Sequence, residues 1–225
     1  MSEWYPVQIF SRSGGDSTNR LNFVDLKEAL GSDIIFLTIP IRSIPGWMEE
    51  NAHLIPSSST LVDCASVKLK VLEWVNPYAE KYGFHFVATH PLFGPDSAAG
   101  GLKNHKIVVI PQKVPYPQLR FLTELFEKKL GLQIISMSAD EHDRMMAYNL
   151  SLVHLIGRTL DNLNIHHLPL KMPNLDGLLR IATVASNDSF ELFVDMNHWN
   201  PYAEEVREQF LGSLNAIVER YLKKG

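Results

Sequence analysis

The 225 residues contain a single cysteine, Cys64. With no second one the chain has no intrachain disulfide to staple it, and such usage suits a reducing, cytoplasmic compartment. Cys64 lies in the apolar run LVDCAS and reads as a packing residue, not a nucleophile. No apolar run approaches the roughly 20 residues that a membrane span needs. The opening MSEWYPVQIF lacks the basic segment and apolar stretch of a secretory signal. Charge of one sign is also missing. Lys and Arg number 21 against 25 Asp and Glu, a net charge of -4, and the two signs are interspersed. That leaves no basic footprint for nucleic acid or an anionic membrane. Internal repeats and low-complexity segments are absent, and so is any G-x-G-x-x-G string. What remains is a globular composition, 45% hydrophobic and 20% charged, long enough for one large domain or two small ones.

Strand-like and helix-like segments alternate through the first half. VQIF is a short apolar strand followed by a polar, Gly-rich loop. LNFVDLKEALG has helical spacing and ends at Gly31, and DIIFLTIP is a strand stopped by Pro40. A helix around GWMEENAHL precedes the strand TLVDCA. SVKLKVLEWVNPYAEKYG reads as a helix, FHFVATHP as a strand, and KIVVIP closes the series. Continuous apolar strands separated by helices predict an α/β, Rossmann-like and mostly parallel sheet covered on both faces. After Pro111 the chain turns Pro-rich and then helical. LQIISM is one late strand candidate, and Asn200-Pro201 interrupts the last helical stretch. The expected division is therefore an α/β domain over residues 1–111 and an all-α domain over 112–225.

A dinucleotide-binding sheet opens with strand, Gly-rich turn and helix, which cradle the pyrophosphate. Here Gly14-Gly15 follow a strand, but their spacing is wrong. VQIFSRS reads instead as the end of a second strand. At that place an acidic residue binds a ribose 2′-hydroxyl, and an arginine accommodates a 2′-phosphate. The residues present are Ser11, Arg12 and Ser13, which favour NADP over NAD; the alternative is a surface turn that happens to hold an arginine. On the cofactor reading, the first β-α unit of about 30 residues either precedes Met1 or has been lost with its cradle.

The chemistry concentrates in ATHPLFGPDSAAGG. His90 ends an apolar strand, the place where open α/β sheets bind ligands. Pro91 holds it extended, while Gly94 and Pro95 shape the turn that follows. An isolated His-Pro pair would be read as structural. The longer string is different. Together with DCASVK (residues 63–68), ADEHDRMMAYNLSLVHLIGR (139–158) and NDSFELFVDM (187–196), it resembles the prephenate dehydrogenases. The dehydrogenase part of the bifunctional chorismate mutase–prephenate dehydrogenases is the nearest in pattern.

That resemblance implies a nucleotide-binding domain followed by a helical substrate and dimerisation domain, hence a homodimer. It implies NAD(P)-dependent oxidative decarboxylation of prephenate to 4-hydroxyphenylpyruvate, a step of tyrosine biosynthesis. His90 takes the place of the catalytic histidine that accepts the hydroxyl proton, a task suited to imidazole near pH 7. Ser66 matches a serine near that hydroxyl, and as the residue where strand gives way to helix it could also cap the helix. Thr38 and Pro40 fall where the cofactor passes the sheet edge, or else simply end a strand. His154 matches a histidine facing the substrate, with Ser151 on its face of the helix. The substrate-binding arginine is displaced. Its expected place falls near Thr183, and Arg180 lies one helical turn earlier. A guanidinium is the right partner for a carboxylate, but the displacement leaves arogenate or an amino-substituted prephenate open as substrate. Glu141, His142 and Asp143 read as a helix start with solvated charges, with no metal. A rival reading is a catalytically silent dimerising or ligand-binding remnant of the same family.

Overall fold

A computed structural model describes residues 1, 3–18, 21–112 and 114–223. The chain forms two compact units: Met1–Ala65 with Val71–Ser138, and Ser66–Lys70 with Ala139–Gly225. The first is α/β. Strands β1 (Gln8–Ile9) and β2 (Asn22–Phe23) pair in parallel as a small separate sheet. Helix α1 (Leu26–Leu30) follows, capped by Asp25, whose carboxylate accepts from the Glu28 N–H at 2.8 Å. Then come β3 (Ile34–Leu37), α2 (Ile44–Asn51), β4 (Thr60–Asp63), α3 (Leu69–Tyr82), β5 (His85–Pro91) and β6 (Lys106–Pro111). Helix α4 (Tyr116–Glu124) and β7 (Gln133–Ser136) complete the unit.

The main sheet has the order β3-β4-β5-β6-β7. All four residues of β4 and the middle of β5 are buried, which is why these strands read as unbroken apolar runs. Val62, Val87, Ile107 and Val109 pack against Leu122, Leu125, Phe126 and Leu132. Ordinary burial energetics, about 25 cal/mol per Å² of apolar surface, hold this layer together.

The sheet is mostly parallel, as the sequence predicts; three details differ from that reading. LNFVDLKEALG is not one helix: Asn22 and Phe23 pair with β1, and the helix starts only after Asp25. The sheet reverses at β6, which runs antiparallel to β5, with β7 parallel to β6. Residues 92–105 contain turns and no helix, so nothing carries the chain back across the sheet as a parallel crossover requires. The expected division at residue 111 is also corrected. The Pro-rich stretch after Pro111 resembles a linker, but α4 and β7 return to the first sheet, and the units part after Ser138.

The second unit contains α5 (Ala139–Met146), a π-helical turn over Ala147–Leu152, α6 (Val153–Asn162), α7 (Pro173–Asn187), α8 (Phe190–His198) and α9 (Ala203–Ile217). Pro173 occupies the first turn of α7, and Ser189 caps α8 through the Leu192 N–H at 3.1 Å; both follow helix-start chemistry. Helices α6 and α7 touch at Gly157. A Cβ there would lie 2.5 Å from Ala185 Cβ and 2.7 Å from the Ile181 carbonyl oxygen.

Candidate active site

Strands β4 and β5 are joined at their C-terminal ends by Asp63. Its fully buried carboxylate accepts from the Thr89 N–H at 3.0 Å and the Ala65 N–H at 3.0 Å, and the Thr89 hydroxyl donates to the Asp63 carbonyl. This pins the residue before His90. His90 is itself 7% exposed and lies within β5, paired with Val108; its backbone is therefore held by the ladder and not by a loose loop. The following string folds back on itself: the Ser97 hydroxyl accepts from the Gly94 N–H at 3.0 Å, and the Phe93 ring lies 5.2 Å from the His105 ring. Asp63 was legible as an oddity, a carboxylate inside the apolar run LVDCA, and such a group is kept only when fully hydrogen-bonded.

The cofactor candidates follow the C-terminal ends of two strands. Residues 11–14 form a turn after β1, closed by the Gly14 N–H on the Ser11 carbonyl at 3.0 Å, with Gly14 at φ +71°. The Ser11 and Ser13 hydroxyls pair at 2.9 Å, and Arg12 is exposed. Thr38 and Pro40 are exposed just beyond β3. Between β1 and β3 lies a cleft of about 1160 Å³, lined by Val7, Ile9, Phe10, Ile34, Phe36 and Thr38 among others. Among the described residues, β1 pairs only with β2, and β3 only with β4. The turn thus offers hydroxyls and a guanidinium for a ribose phosphate, and the two strand edges border an open cleft. A glycine-rich cradle for the pyrophosphate is not among the residues of this sequence.

In the helical unit the candidates sort differently. The Ser66 hydroxyl oxygen is buried and hydrogen-bonds no described atom. His154 is 3% exposed; its Nε2 lies 3.5 Å from Asp188 Oδ2, while its Nδ1 is buried without a partner. An unpaired buried polar atom costs about 1–3 kcal/mol, so each of these two is a place where a bound oxygen or nitrogen would be stabilising. The buried Ser151 hydroxyl is engaged with the Met196 carbonyl at 3.1 Å. Arg180 is exposed on α7. Arg158 on α6 donates through Nη2 to the carbonyls of Asp188 (2.7 Å) and Ser189 (3.1 Å). Its guanidinium sits over the rings of Phe190 and Phe193 at 5.4 and 5.1 Å. Arg158 and His154 therefore share Asp188.

His142 and Asp143 overturn the expectation of solvated charges. Both are fully buried, 2.7 Å apart, and Asp143 accepts from the backbone N–H groups of Lys68 and Leu69. Among the described residues no group of three metal-ligating side chains occurs, and no helix is long and apolar enough to cross a membrane.

Burial pushes the His154 imidazole below its ordinary range; Asp188 opposes the shift and Arg158 adds to it. His154 is therefore neutral near pH 7 and can exchange hydrogen bonds but not supply charge. The folded chain takes this proton less readily than the unfolded chain, whose histidines titrate near 6.5. The stabilisation is present above about pH 6.5 and is lost as pH falls through the depressed folded value. Urea unfolding from pH 7.5 to 5 is expected to lose stability more steeply in the wild type than in His154→Gln.

These features define a class: a Rossmann-like α/β unit with candidate functional groups at its strand ends, followed by a helical unit. Residues 16–135 match the family described as prephenate dehydrogenase, nucleotide-binding domain. The chain belongs to that family. Residues 159–224 match a family described as TYRAAT1-like, C-terminal domain. Arogenate dehydrogenase 2, chloroplastic, of Arabidopsis thaliana is 30% identical over 184 residues, 79% of this chain and 51% of that protein. The probable arogenate/prephenate dehydrogenase of Methanocaldococcus jannaschii is 22% identical over 204 residues, 87% of this chain and 45% of that protein. The chain thus spans about half the length of these curated relatives. The crystal structure of Aquifex aeolicus prephenate dehydrogenase in complex with hydroxyphenyl propionate and NAD+ shares the fold, with TM-score 0.68 and 20% identity over 88% of this chain and 73% of that one.

Proposed function

We propose that the chain carries the catalytic groups of a prephenate or arogenate dehydrogenase, an oxidoreductase of tyrosine biosynthesis that works with NAD(P). The reaction removes hydride from the ring carbon bearing the hydroxyl, releases carbon dioxide and leaves an aromatic ring. When bound, the nicotinamide supplies the hydride acceptor. His90 takes the hydroxyl proton, and Ser66 orients that hydroxyl. Neutral His154 hydrogen-bonds the substrate, and a guanidinium of the helical unit meets a carboxylate. Arg180 is one candidate for that role; Arg158, which shares Asp188 with His154, is the better supported. Ser151, tied to Met196, holds α8 in this reading. Ser11, Arg12 and Ser13 would receive a 2′-phosphate, favouring NADP, with Thr38 and Pro40 at the edge of the cofactor's path.

The observation that carries the proposal is His90, buried at the end of β5 and pinned through Thr89 by Asp63. The test is incubation of the purified protein with prephenate or arogenate and NAD+ or NADP+, followed by reduced-cofactor absorbance. Turnover supports the dehydrogenase. Binding of either substrate without cofactor reduction supports the silent remnant.

A homodimer belongs to the same proposal. Leu211, Leu214, Ile217 and Tyr221 are all exposed at helical spacing along α9 and the turn that follows, the pattern of an apolar face that meets another. Leu214→Glu is expected to shift sedimentation from two chains to one without loss of helical circular dichroism.

A further inference from the structure

We infer that Asp143 is a positioning residue: it caps α3 in place of Ser66 and so leaves the Ser66 hydroxyl available to the substrate. A serine hydroxyl shortly ahead of a helix can accept, in a local turn, from the backbone N–H two or three residues on. For Ser66 those are Lys68 and Leu69. Both N–H groups are already taken, by Asp143 Oδ1 at 2.8 Å and Oδ2 at 2.9 Å.

Asp143 is well placed to hold them. Its carboxylate is fully buried, and a negative charge at a helix N-terminus is favourable. His142 Nδ1 lies 2.7 Å from Oδ1. The Asn200 side-chain amide donates to the Asp143 carbonyl at 2.8 Å, fixing its backbone. The Asn200 side-chain oxygen in turn accepts from the Tyr202 N–H at 2.9 Å, so the Asn200-Pro201 break contributes to the same arrangement. The unpaired Ser66 oxygen then follows. A buried hydroxyl within local reach of these two N–H groups would otherwise pair with them; with both occupied by Asp143, it has no described partner.

The part of this inference that concerns substrate rests on the role proposed for Ser66; the capping itself does not. The test uses Asp143→Ala, Ser66→Ala and the double variant, with Asp143→Asn, which keeps one acceptor oxygen, in place of the alanine should that variant not fold. Amide exchange at Lys68 and Leu69 is measured first. Ser66→Ala alone should leave it unchanged. Asp143→Ala should raise it less than tenfold, because Ser66 swings in to cap, and the double variant should exchange at least tenfold faster than Asp143→Ala. A double variant that exchanges like Asp143→Ala overturns the inference, whatever the enzyme does.

The kinetic arm separates the two readings. Asp143→Ala should lower kcat at least tenfold with KM held within about twofold, and adding Ser66→Ala should lower it no further. A fully active Asp143→Ala would overturn the positioning role. An inactive wild type would instead count against the proposed reaction, and the exchange cycle alone would then decide the capping.

Discussion

Replacing His90 with asparagine is expected to lower kcat by about 10²–10⁴, the range lost when a general base is removed. Asparagine keeps a polar side chain of similar reach and can sustain the β5–β6 pairing at this position, so the fold should survive. It has no basic nitrogen, so on the proposed role nothing would replace imidazole as acceptor of the hydroxyl proton. Binding should suffer little, because the proton moves only as hydride departs, and KM is expected to stay within a few-fold. The pH profile adds a second signature. On the proposed role, any acid-side fall in wild-type kcat should vanish in the variant. A loss smaller than tenfold, with the thermal midpoint unchanged, would remove His90 from the mechanism.

The largest stability effect is expected at Gly157. Gly→Ala inside a helix ordinarily stabilises by about 1 kcal/mol. Here the added methyl would meet Ala185 Cβ at 2.5 Å and the Ile181 carbonyl oxygen at 2.7 Å. Neither is the far end of a flexible chain, so α6 must move away from α7. Overpacking of this kind costs about 1–3 kcal/mol, and a backbone contact belongs at the upper end. The net expectation is a loss of about 2 kcal/mol by urea unfolding. Gly177, inside α7, is the control: nothing lies within 4 Å of a Cβ there, so Gly177→Ala should stabilise by about 0.5–1 kcal/mol. Because His154 and Arg158 flank Gly157 on α6, the Gly157 variant should also weaken substrate binding. Equal effects at the two glycines would mean that the α6–α7 approach is not tight.

Much of the α/β unit was legible because its strands are buried on both faces. TLVDCA, FHFVATHP and KIVVIP each show as apolar runs, and each contains a strand. Direction is another matter. Nothing in KIVVIP says that it runs against FHFVATHP; the reason lies in the helix-free connection between them. Strand β2 was hidden because two residues leave no periodicity to read. Of the candidate site, His90 and His154 could be found from their strings, and both are buried polar groups. Asp143 could not. A helix start of consecutive charged residues looks solvated unless one knows which partner closes over it, and here the partners are a segment some seventy residues upstream and Asn200. The surroundings of the guanidinium groups were likewise hidden. Spacing pointed to Arg180, whereas the corner between α7 and α8 brings Arg158 to Asp188.

The assignment of Ser66–Lys70 to the helical unit bears on how this protein can be taken apart. The polypeptide enters that unit briefly, leaves for most of the sheet, and returns for good only at Ala139. No single cut therefore yields both units whole. A fragment starting at residue 139 would bury the Asp143 carboxylate without the two donors that balance it, and a fragment ending at 138 would strand five residues of its neighbour. Any scheme for exchanging, permuting or separately expressing the halves has to treat those five residues as part of the second half, and carry them with it.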